Sequence, residues 1–174
     1  VSNTEQQLRD IEMIIAGEVD SSRKELETDG RLDPRFLFIS KNAGGRLEIN
    51  IVVMPEMQST LPGAGRDPFA QYLRHIAREI DAIAYFSIME AWVRRGTKDK
   101  PPVRPTSLDW GEDPRSEEEV VAILETGVGT TMAYMPIIRR AGKPPTFAPG
   151  ATWEKQQRAE GRWVGVLPRS AESP

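Results

Sequence analysis

Apolar residues recur at helical spacing from the start of the chain. Leu8, Ile11, Ile14, Ile15 and Val19 form one stripe, while Arg9, Asp10, Glu12 and Glu18 fall outside it. Thr4 and Gln7 fit a capping box, in which hydroxyl and amide satisfy orphan backbone donors. Asp29-Gly30 is the expected stop, because glycine enters the left-handed conformation at little cost. The period then changes. Arg35 to Lys41 carries Phe36, Leu37, Phe38 and Ile39 in succession, which suits a strand covered on both faces. Beyond the turn residues Asn42-Ala43-Gly44-Gly45, the residues Leu47, Ile49, Ile51 and Val53 alternate with Glu48 and Asn50, predicting a half-buried strand that closes a hairpin.

Residues 55–65, punctuated by proline and glycine, read as a loop. Asp67 and Pro68 then predict a helix start, and Phe69, Tyr72, Leu73, Ile76 and Ile80 its apolar stripe, with Arg74 and Arg78 pointing away. Ala82 to Val93 is a long apolar run that fits either helix or strand by period. Its content of Ile83, Tyr85, Phe86, Ile88, Trp92 and Val93 favours strand. Residues 96–116 hold four prolines and read as a long surface loop. Val120–Thr126 and Thr130–Ile138 read as strands joined by a turn or bulge at Gly127-Val128-Gly129. Ala141 to Gly150 is a further loop, Trp153 to Glu160 a short helix, Arg162 to Leu167 a last short strand, and residues 170–174 a frayed tail. Hairpins dominate and no βαβ series alternates. The expected architecture is one α+β domain over residues 1–174: a mainly antiparallel sheet of five to six strands, with two principal helices packed on one face.

Composition narrows the function classes. The chain has 174 residues, 39% hydrophobic and 28% charged, enough for one sizeable core and against wholesale disorder. No apolar run reaches the length of a membrane span, so no membrane partner is expected. The opening Val1-Ser2-Asn3-Thr4-Glu5 has neither the basic nor the apolar region of a secretory leader. Cysteine is absent, which removes disulfides, thiolate metal sites and cysteine nucleophiles, and favours a soluble, cytoplasmic protein. A net charge of −3 gives no global attraction to nucleic acid.

Glu90 is the leading candidate for chemistry, because it sits among Phe86, Ile88 and Trp92 on one face of an apolar strand. A carboxylate there must be protonated, paired or at a cleft. It reads either as an acid/base or ligand-binding group or, more commonly, as a structural glutamate paired with a residue such as Arg94. His75 is the only histidine and cannot build a multi-histidine metal site, so it reads as a solvated helix residue. Gly127-Val128-Gly129-Thr130-Thr131 lacks the lysine and the following helix of a phosphate loop. Asp109, Glu112, Asp113 and Glu117 to Glu119 match no cation-loop spacing and read as a solvated acidic run. Arg94-Arg95, Arg104, Arg139-Arg140 and Lys143 are placed to converge at strand ends, as a basic patch or as edge protection. Trp110, Trp153 and Trp163 are interface anchors or core covers. No metal or cofactor is expected.

Met89-Glu90-Ala91-Trp92, a long loop, and Glu112-Asp113-Pro114-Arg115-Ser116-Glu117-Glu118 entering Val120-Val121 together resemble an uncharacterised family of small α+β proteins of bacteria and their phages. The resemblance implies a bacterial or mobile-element origin and carries no activity or site. Three function classes follow. The first is a non-enzymatic interaction module, self-associating as a homo-oligomer through an edge strand or the loop tryptophans. The second is a small enzyme or ligand-binding protein centred on Glu90 and Trp92. The third is a nucleic-acid binder using the arginines, which the overall charge disfavours.

Overall fold

The computed structural model describes residues 3–54, 66–94, 116–156 and 163–168. Its first element is the helix α1 (Asn3–Asp29). Thr4 lies inside it rather than at its cap, where the sequence pattern set it. The stop falls where expected. Gly30 has φ 76° and donates its N–H to the carbonyl of Leu26 at 3.0 Å, the single bond of a left-handed C-cap.

Strands β1 (Arg35–Lys41) and β2 (Leu47–Val53) form the predicted hairpin. Asn42 organises the turn: its Oδ1 accepts the N–H groups of Gly44 and Arg46, both at 3.0 Å, and its carbonyl accepts that of Gly45 at 2.8 Å. Gly45, at φ 77°, supplies the left-handed step that brings Arg46 back opposite Asn42. The second helix, α2 (Arg66–Glu79), leads into β3 (Ala84–Arg94), so the ambiguous apolar run is a strand. β4 (Ser116–Thr126) and β5 (Gly129–Ile138) are joined by a two-residue turn at Gly127-Val128. Two short strands follow, β6 (Thr146–Phe147) and β7 (Glu154–Gln156).

The described strands make one antiparallel sheet in the order β2-β1-β3-β4-β5-β6, with β7 also on β5. The α+β class is therefore as expected. Two details differ. The segment read as a short helix from Trp153 contains β7, because Thr130, Thr131 and Met132 on the outer edge of β5 offer it ladder partners. The expected last strand is instead an irregular segment over the described residues 163–168.

The placement of the helices is corrected more substantially. They pack on opposite faces, not on one. Ile11, Ile15, Val19 and Leu26 of α1 meet Leu37, Ile39, Phe86, Ile88, Val120 and Ala122. Phe69, Leu73 and Ala77 of α2 meet Phe36, Phe38, Tyr85 and Met89 on the other side. The period-two geometry of β1 and β3 explains this: both strands carry large apolar residues on each face, Leu37, Ile39, Phe86 and Ile88 on one and Phe36, Phe38, Tyr85 and Met89 on the other, so each face needs its own cover. The buried stripe of α2 is also rotated from expectation. Ala70 and Ala77 join Phe69 and Leu73 inside, while Tyr72 stays 51% exposed. The residues 55–65, most of the loop at 96–116 and the tail at 170–174 lie outside the described residues.

Candidate functional site

Glu90 occupies the α1 face of β3, in line with Phe86 and Ile88, and its carboxylate is half-buried. Its Oε1 accepts the N–H of Leu32, in the link between α1 and β1. Burial pushes its pKa above the ordinary value, and the nearby charges of Glu118 and Asp33 push the same way. The Leu32 N–H and Arg139 oppose them. The same link is held by a second carboxylate. Glu25 accepts the N–H of Asp33 at 3.2 Å and pairs with Arg35, which also lies 3.8 Å from Glu18. Glu90 thus serves a backbone donor in the connection between α1 and β1.

The acidic run at 117–119 is not uniformly solvated as expected. Glu117 is exposed, Glu118 forms a two-pronged pair with Arg139 (Nε to Oε2 2.7 Å), and Glu119 is fully buried. Alternation along β4 sets Glu118 on the opposite face from Glu117 and Glu119, and along that shared face burial deepens from the strand's start at Glu117 inward to Glu119. Of the arginine cluster, Arg94 ends β3 opposite Ser116, and Arg139 follows β5 at the same end of the sheet, so the strand ends do converge. Arg140 and Lys143 are exposed there, while Arg95 and Arg104 lie outside the described residues. Trp92 lies in β3 opposite Glu118. Trp110 is outside the described residues.

Trp163 covers the core on the α2 face, with its ring centroid 5.2 Å from that of Phe36 and 6.1 Å from that of Phe69. Trp153 leans on Phe86 on the α1 face, at 6.4 Å, and forms one wall of a cavity of about 400 Å³. Glu90 does not line that cavity. His75 is exposed, as the helical spacing implied. The glycine-rich 127–131 stretch opens a strand, so no helix N-terminus faces it. Among the described residues no cluster of histidine, aspartate and glutamate is arranged to hold a metal, and no helix is long and apolar enough to cross a membrane.

Two features escaped the sequence reading. Glu125, buried on the α2 face of β4, accepts the N–H groups of Gly165, Val166 and Leu167, the latter two at 2.9 and 3.0 Å. Nothing local to Glu125 signals this, because its partners lie some forty residues on. The second is the outer strand β2. Ile49, Ile51 and Val53 are 47%, 55% and 58% exposed, although their alternation read as a buried face. No protein-family model, curated protein or solved structure matches the chain.

Proposed function

We propose that this chain is a non-enzymatic interaction module that self-associates through the outer edge of β2. The observation that carries this reading is an outer edge that no described strand pairs with. The N–H of Asn42 bonds the carbonyl of Arg46, so residues 46, 48, 50 and 52 direct their backbone groups toward β1. Those of Leu47, Ile49, Ile51 and Val53 therefore point outward, and no described strand pairs with them. The same residues carry the exposed aliphatic row. Proteins usually blunt such an edge with charge, proline or a short strand. The opposite side of the sheet is blunted in that way, because the short β6 and β7 cover β5. β2 has seven residues, with Glu48 its one charge.

β2 is also self-complementary. A two-fold axis through Asn50 sets Leu47 against Val53 of a second copy and Ile49 against Ile51, all four on one face. On the other face Glu48 meets Val52, so no like charges oppose. The arginine-based reading is weaker, since Arg139 is engaged by Glu118. A cytoplasmic setting in a bacterium or its phage belongs to the same proposal, supported by the absence of cysteine and by the resemblance spanning Met89 to Val121.

Light scattering coupled to size exclusion tests it. The wild-type chain is expected to dimerise at high micromolar concentration and Ile51→Lys to remain a monomer with an unchanged circular dichroism spectrum. The double variant Ile49→Lys/Ile51→Glu places opposite charges across the two-fold pair, so dimerisation should return at low salt and fade at high salt. A wild-type chain that is monomeric throughout would overturn the reading.

A further inference from the structure

The cavity walled by Trp153 lies between the first half of α1 and the β4–β5 hairpin. On the helix side Ile11 and Ile15 form its depth, while Leu8, Glu12 and Ala16, spaced at i, i+4 and i+8, form its rim. Leu124 and Trp153 close the sheet side. Its volume, about 400 Å³, is in the range of small-molecule sites, and its wall is mainly apolar with a few polar groups at the mouth. An apolar cavity holds water poorly and takes apolar ligands readily. Lys155 is the one basic residue of the lining. Its arm passes over the turn, with Cε 3.7 Å from where a Cβ on Gly129 would sit. Glu12, on the α1 side of the lining, is exposed.

We propose that this cavity binds a small anionic amphiphile, a medium-chain carboxylate, with its chain between Ile15, Leu124 and Trp153 and its head at Lys155. The division of the mouth into a basic sheet side and an acidic helix side orients such a ligand. The carboxylate settles over the hairpin, away from Glu12, and the tail enters beneath the helix. The site is separate from the β2 edge and does not depend on self-association.

Isothermal titration of the full chain with decanoate, below its micelle threshold, tests the proposal beside decan-1-ol and decylamine. Decanoate should bind with one site per chain and alter the fluorescence of Trp153. Ala16→Phe, at an exposed helix position, closes the mouth and should weaken binding by about tenfold or more. Lys155→Gln should weaken decanoate about two- to five-fold, the worth of an exposed ion pair, and leave decan-1-ol unchanged. Ile51→Lys should bind as the wild type does. Absence of decanoate binding, equal binding by Ala16→Phe, or tighter binding of decylamine than of decanoate would each overturn the assignment. So would loss of binding in Ile51→Lys, which would move the ligand to the exposed edge strand.

Discussion

Glu90 shows how a side chain singled out in the sequence for its chemistry also takes a structural partner in the fold. Its apolar surroundings were legible from Ile88, Met89, Ala91 and Trp92. Its partner was not, because the Leu32 N–H reaches it only after a helix has reversed direction at Gly30. The raised pKa has a definite consequence for stability. Between the ordinary carboxyl value of 4.5 and the raised folded value, the native state binds more protons than the unfolded chain. The favourable contribution of protonated Glu90 is therefore complete below 4.5 and is lost as pH rises through the folded value. Glu90→Gln keeps an oxygen for the Leu32 N–H and removes the repulsion from Glu118 and Asp33. It should unfold at higher urea than the wild type at neutral pH, with the difference closing as pH falls toward 4.5. Urea midpoints at the two pH values check this, and a variant destabilised equally at both would show that the carboxylate's charge is not what matters.

At the scale of elements, the segment 163–168 stays on the sheet without belonging to it. Three consecutive N–H groups converge on Glu125, and Arg74 of α2 donates to the carbonyls of Val164 and Gly165 at 3.4 and 3.2 Å. Gly165 at φ 70° makes the bend that aligns these donors. Glu125→Ala leaves the three N–H groups without their acceptor and should cost about 2–4 kcal/mol, given the strength of hydrogen bonds to charged groups. It should also expose Trp163 to a soluble fluorescence quencher, whereas Glu125→Gln, keeping one acceptor, should lie between. An unchanged midpoint and unchanged quenching would mean that the segment is held by Trp163 and Val166 alone. This anchor illustrates which elements can be read from a sequence. The β1–β2 hairpin, the Gly30 stop and the strand character of Ala84–Arg94 were legible because turn chemistry and side-chain type act locally. The segment's attachment was not, because it rests on contacts across forty residues. The exposure of β2 was hidden for a related reason. Alternation marks two distinct faces but does not reveal that α1 covers the inner strands and leaves this one bare.

For the molecule as a whole, the sheet separates two cores that share its central strands. Leu37 and Ile39 serve one face and Phe36 and Phe38 the other, and β3 divides in the same way between Phe86 and Ile88 on one side and Tyr85 and Met89 on the other. The two helices do not pack on each other in either core, so each depends on the sheet rather than on its counterpart. Loss of one face removes the cover of strands that the other face also needs, which predicts a single unfolding transition with additive energetics. Ile15→Val on the α1 face should cost about 1 kcal/mol and Leu73→Ala on the α2 face about 2–4 kcal/mol. With no shared partner, the double variant should equal their sum within about 0.5 kcal/mol. The measurement belongs in the Ile51→Lys background at fixed concentration, because an associating wild type would gain stability by mass action. Coincident urea transitions followed by Trp fluorescence and by far-ultraviolet circular dichroism, with an unchanged slope, would establish the shared sheet as the cooperative unit. Two separated transitions, one moved only by Ile15→Val and the other only by Leu73→Ala, would instead make each helix with its own face an independent folding unit.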